Sequence, residues 1–176
     1  MIIFLIIIII FIYFLAVFVL SRLLIPHLGF SLDALPNNVP VSWQKEIDSL
    51  KVKDRRANEF LSLAYDYLGQ KYLYKGPLFF RRFKVFTNFS ALFINLDDLY
   101  RRTGFMHCTQ LNFVLRLFLV NSGFFKEEDI KVEHVFLNFF IHQYLQVKVN
   151  NHWLDVDIFG YSDGLKIGQH LKIFSL

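Results

Sequence analysis

The chain holds a single cysteine, Cys108, and the residue types that could activate a thiol lie downstream: His142, then two carboxylates in Trp153-Leu154-Asp155-Val156-Asp157. A thiol is nucleophilic as its thiolate, and with an ordinary pKa of about 8.5 it is mostly protonated at neutral pH. Activation needs a base within hydrogen-bond reach, and the base needs a group that fixes its tautomer. In the scheme these residues suggest, Cys108 attacks an acyl carbon, His142 takes the thiol proton and returns it to the leaving group, and a carboxylate orients the imidazole. With one cysteine, no internal disulfide competes for the thiol.

The elements around these residues decide which carboxylate fits. From about His107 to Val120 the apolar residues Leu111, Val114, Leu115, Phe118 and Leu119 recur at helical spacing, and Asn121-Ser122-Gly123 supplies a stop. Cys108 therefore falls in the first turn of a helix, where unpaired N–H groups and the positive end of the dipole favour a thiolate and could hold an oxyanion. Beyond Gly123 the pattern turns to strands over 130–136, 139–149 and 152–159, with Asn150-Asn151 as a two-residue hairpin turn. That turn sets Val149 opposite His152, Gln146 opposite Asp155, Tyr144 opposite Asp157 and His142 opposite Phe159. His142 and Asp157 then lie diagonally on one face, about 7 Å apart along the backbone. Asp155 shares the face but lies about 13 Å away, so Asp157 is the expected partner. The other face, with Leu145, Val147, Val149, Leu154, Val156 and Ile158, is apolar, and the Cys108 helix is expected across a cleft from the polar face.

Upstream, Ala57, Phe60, Leu61, Ala64, Tyr65 and Leu68 form a second helical stripe, from an N-cap at Asp54 to a stop at Gly69. Residues 76–105 show no sustained period and read as loops with short elements. Helices first and strands second predict an α+β fold with a largely antiparallel sheet. Residues 1–20 carry no charge, and a run of about 20 apolar residues suits a bilayer core, so residues 1–24 are expected to form one N-terminal transmembrane helix. Residues 25–53, dense in Pro and Asn, read as a stalk, and 54–176 as the domain. Arg22, the one basic residue close behind the apolar run, places that domain on the cytoplasmic side of a single-pass membrane protein.

The order of a Cys at a helix start, an aliphatic helix, His142-Gln143-Tyr144 at the head of a strand and Trp153-Leu154-Asp155-Val156-Asp157 on the next resembles the core of the transglutaminase-like superfamily of papain-like thiol enzymes. The likeness spans about 54–159, and the helix that closes with Tyr65-Asp66-Tyr67-Leu68-Gly69-Gln70 resembles the one that opens that core. The resemblance implies a papain-like core with a Cys108–His142–Asp157 triad. It also implies acyl transfer or hydrolysis at an amide of a protein or peptide substrate, with no metal and no organic cofactor. The short spacings between the three residues suit the compact microbial versions of the family. This chain departs from the pattern at Thr109, where an aromatic often follows the nucleophile, at Tyr144 in place of Trp, and at Ile158 in place of Pro. Gln70 and Tyr100 are the side chains considered for the oxyanion.

The formal net charge is +4, and Lys71, Tyr72, Tyr74, Lys75, Phe79, Phe80, Arg81, Arg82, Phe83, Lys84 and Phe86 make one basic, aromatic stretch. Beside an anchor such a stretch could rest on anionic headgroups, but no recognition motif accompanies it and no nucleic-acid partner is expected. A metal site built from Cys108 with His107, His134 or His142 matches no standard zinc spacing. The non-enzymatic alternative is a catalytically inactive, membrane-tethered interaction module with the same fold.

Overall fold

The computed structural model describes residues 2–15, 34–36, 38–51, 56–75, 95–137 and 140–172. In these the chain is α+β: five α-helices, α1 (Ile2–Phe14), α2 (Val41–Leu50), α3 (Ala57–Lys71), α4 (Leu96–Arg101) and α5 (Cys108–Asn121), precede strands β1 (Ile130–Leu137), β2 (Phe140–Val149) and β3 (His152–Val156). The sheet order is β1-β2-β3, antiparallel throughout.

The β2–β3 register follows from its turn. Asn150 (φ 50°) and Asn151 (φ 64°) both adopt the left-handed conformation, which asparagine tolerates and which a two-residue hairpin turn requires. Val149 then pairs with His152, Val147 with Leu154 and Leu145 with Val156. The strand is shorter than its sequence suggests: β3 ends at Val156, and Phe159–Asp163 turn as a 3₁₀ helix that Gly164 closes at φ 80°. The apolar face of the hairpin, with Leu145, Val147, Val149 and Val156 buried, joins Val114, Leu115 and Phe118 of α5 in one core. So the helix packs on the apolar face, not across a cleft from the polar one, and Asn112 Nδ2 ties it to β2 by donating to Gln143 O at 2.9 Å. The polar face is met instead by the C-terminal segment, where His170 stacks on Tyr144 at 4.4 Å.

Helix α5 is the central element. Its apolar stripe predicts one buried face, yet every residue from Thr109 to Leu119 is buried, because α3, α2 and β2 surround it. Helix α3 buries Phe60, Leu61, Ala64, Tyr65 and Leu68, as the spacing requires, but runs on through Gly69 to Lys71. The Asp54 cap lies outside the described residues. Gly69 is there for space: a Cβ at this position would fall inside the Tyr161 ring.

Two expectations about the first fifty residues are corrected. Residues 41–50, read as part of an extended stalk, form α2, whose Trp43 and Ile47 are fully buried. Trp43 packs on Phe118 at 5.5 Å and on Tyr100 at 5.6 Å, and Glu46 meets Lys71 at 3.4 Å. Pro40 begins α2 rather than blocking it, since a proline at a helix start forfeits no hydrogen bond and its carbonyl accepts from Trp43 and Gln44. The second correction concerns residues 1–24. Among the described residues no helix is long and apolar enough to cross a membrane. The single-pass membrane localisation is therefore not supported, and residues 16–24 lie outside the described residues.

Candidate functional site

Three elements converge near the N-terminus of α5. Cys108 is its first helical residue, half-buried, with His107 before it and the Gln110 side chain accepting from His107 N at 3.4 Å. His142 lies near the start of β2, opposite Val135 of β1. Asp157 follows β3 directly, in the bend where the chain leaves the sheet for the 3₁₀ turn.

His142 Nε2 and Asp157 Oδ2 are 2.8 Å apart, and both side chains are buried. The carboxylate has two further donors: Gly160 N reaches Oδ1 at 3.1 Å and Leu171 N reaches Oδ2 at 2.9 Å. Burial pushes the Asp157 carboxyl up, but the imidazolium and these N–H groups outweigh it and hold the pKa below the usual carboxylate range. The converse holds at His142. Burial pulls it down, but the charge and hydrogen bond of Asp157, with a smaller contribution from Cys108, carry it up to about 10.

An ionised carboxylate only accepts, so Nε2 keeps its proton in both charge states of the ring, and Nδ1 is the nitrogen that gains or loses one: it carries the second proton of the imidazolium and is the base once that proton has left. Nδ1 is buried and has no hydrogen-bond partner of ordinary geometry, although Cys108 acts on the ring both as a hydrogen-bonding group and as a charge. The thiol therefore lies near enough to the ring to act on it, without a hydrogen bond of ordinary geometry at Nδ1. The Phe159 ring packs against the imidazole at 5.3 Å.

Asp155, the rejected carboxylate, belongs to a separate cluster on the polar face. Gln146 Nε2 donates to its Oδ1 at 2.8 Å, and its Oδ2 meets His170 Nδ1 at 2.8 Å. His170, from the C-terminal segment, therefore joins the polar face of the sheet. Of the other histidines, His134 is exposed and meets Gln143 at 3.4 Å, and His152 is exposed at the start of β3. Among the described residues no three His, Cys, Asp or Glu side chains gather where they could hold a metal ion. Of the side chains considered for the oxyanion, Gln70 is exposed, and Tyr100 packs on Trp43 and under Lys71. In the basic stretch Lys71 and Tyr72 belong to the core packing, with Tyr72 Oη donating to Leu99 O at 2.9 Å. Its residues 79–86 lie outside the described residues.

Sequence reasoning passed over the groups that hold the carboxylate. A signal for one was present: Asp157-Ile158-Phe159-Gly160 is an Asp followed by a turn, where the side chain accepts from the backbone it caps. None was present for Leu171 or His170, whose approach is tertiary. Tyr65 of α3 adds a backbone tie, donating to Leu165 O at 2.7 Å and to Asp157 O at 3.3 Å.

The fold and site thus define an α+β domain in which a buried His–Asp pair stands behind a half-buried thiol at a helix start. No family model, no curated protein and no solved structure matches this chain.

Proposed function

We propose that the chain is a cysteine-dependent enzyme of transglutaminase-like, papain-like type that cleaves or transfers acyl groups at amides of a protein or peptide. The observation that carries this reading is the 2.8 Å contact of His142 Nε2 with Asp157, which leaves Nδ1 for the Cys108 proton. Cys108 Sγ gives its proton to His142 Nδ1, and the thiolate is favoured by the imidazolium and by the α5 N-terminus. It attacks the amide carbon, the C–N bond breaks as His142 returns the proton to the departing amine, and a thioester remains on Cys108. Water or a second amine then displaces the sulfur, with His142 taking the proton of the incoming nucleophile, and the thiol is restored. Asp157 moves no proton; it keeps the tautomer and stabilises the imidazolium.

The test is alkylation of Cys108 by iodoacetamide at neutral pH. The wild-type thiol is expected to react at least about tenfold faster than in His142→Ala, since a thiol without its imidazolium reverts to ordinary acidity. Equal, slow rates in the two proteins would defeat the enzymatic reading. They would favour the second one, a catalytically inactive interaction module, which draws on one observation: His142 is fully buried, as a purely structural pair would be.

A further inference from the structure

Asp155 and Asp157 are two residues apart, so their side chains share one face of the strand end. Each holds a consecutive residue of the C-terminal segment. Asp155 Oδ2 meets His170 Nδ1 at 2.8 Å, and Asp157 Oδ2 accepts from Leu171 N at 2.9 Å. Two backbone contacts fix the approach of this segment: Gly168 N donates to Asp155 O at 2.7 Å, and Gln169 bridges to Val156 in parallel. His170 is further pinned by its stack on Tyr144, with rings 7° from parallel.

From this arrangement we infer that His170 is a positioning residue for the triad: gripped by Asp155 and Tyr144, it holds the Leu171 N–H against the oxygen of Asp157 that orients His142. The inference rests on the proposed enzymatic reading for its consequence, though not for its geometry. Without the His170 tie, the neighbouring N–H is no longer held at Oδ2, the carboxylate gains freedom to rotate, and the imidazole loses its fixed aim at the thiol. His170 itself touches no reacting atom.

Two readouts test this in the full chain. The first is the rate of Cys108 alkylation at neutral pH. The second is the downfield proton resonance of His142 Nε2–H, which reports its bond to Asp157 whether or not the protein is an enzyme. His170→Ala is expected to slow alkylation by about tenfold, as a displaced catalytic pair does, and to shift or broaden that resonance. His170→Asn, whose side-chain amide can place a donor near the position of Nδ1, is expected to restore both, a recovery that general loosening would not give. His170→Leu, which keeps bulk against Tyr144 but has no donor, replaces His170→Ala if the latter fails to fold.

An unchanged resonance in folded His170→Ala or His170→Leu overturns the inference, and so does a loss that His170→Asn leaves uncorrected. If wild type and His142→Ala alkylate equally slowly, the enzymatic reading fails by itself, and the resonance alone judges the positioning role of His170.

Discussion

His142 Nε2 and Asp157 Oδ2 meet at 2.8 Å with neither side chain open to water, and the carboxylate takes its other two bonds from backbone N–H groups of Gly160 and Leu171. All three partners donate. A carboxylate can satisfy them; a carboxamide cannot, because in either orientation its NH₂ faces a donor. Asp157→Asn is therefore expected to lower stability by about 3 kcal/mol or more, the usual cost of stripping one member from a buried charged pair. Urea denaturation measures it. The same variant should slow alkylation of Cys108, because the imidazolium loses the negative charge that stabilises it. A stability loss under about 1 kcal/mol, the ordinary net worth of one hydrogen bond, would show that the pair is not held as described.

The two partners shift in opposite directions, and the signs set a pH window. His142 is raised from 6.5 to about 10, so its contribution is complete below pH 6.5 and is lost as pH rises through about 10. Asp157 is lowered from 3.8, so its contribution is complete above pH 3.8 and is lost as pH falls through its folded value. The pair thus stabilises most between those two ordinary values. Above pH 6.5 the His142 contribution declines by at most about 1.4 kcal/mol per pH unit. Urea midpoints followed from about pH 6 to 10 in wild type and His142→Gln check this, since a neutral imidazole and a neutral amide differ little. The two curves should converge as pH rises; parallel curves would contradict the raised pKa.

Where the fold was legible in the sequence, a local rule fixed the geometry. Asn150-Asn151 demanded a two-residue turn, the turn fixed the register, and the register put His142 nearer Asp157 than Asp155. The α3 stripe read correctly because its apolar spacing meets one continuous core. The errors arose where local signals carry two meanings. Pro40 can stop a helix or start one, and in α2 it starts one. A long apolar run suits a bilayer, but among the described residues no helix is long and apolar enough to cross one. Gly69 reads as a helix stop and is a point of close approach to Tyr161. What lay out of reach was tertiary: the Leu171 N–H and the His170 stack depend on the return of the chain to the sheet, which no periodicity encodes.

At Gly69 the lack of a side chain is a packing requirement. An added Cβ would overlap the Tyr161 ring, which itself packs on Tyr65 at 5.3 Å. Gly69→Ala removes a helix-weakening glycine, a gain of about 1 kcal/mol in an exposed helix. The overlap is expected to reverse that sign and give a net loss of about 1–3 kcal/mol. In a Tyr161→Ala background the clash is gone, so the same substitution should become neutral or stabilising. A thermodynamic cycle of the four proteins measures the coupling, and additive effects would contradict the close approach.

Trp43 tests whether residues 41–50 belong to the domain. Its ring is fully buried between Phe118 of α5 and Tyr100 of α4, so Trp43→Ala opens a large cavity at the centre of the helical layer. The expected cost is about 3–5 kcal/mol, as for other buried aromatics. Val41, two residues earlier, is 72% exposed, so Val41→Ala should stay within about 0.5 kcal/mol of wild type. A stalk would treat both substitutions alike, with effects near zero. Fluorescence adds an independent check. In Trp153→Phe, Trp43 is the one remaining tryptophan, since the chain has two, and a buried indole should emit at shorter wavelength and resist acrylamide quenching until the chain unfolds. Emission at the wavelength of a hydrated indole, with free quenching in the folded protein, would detach α2 from the core.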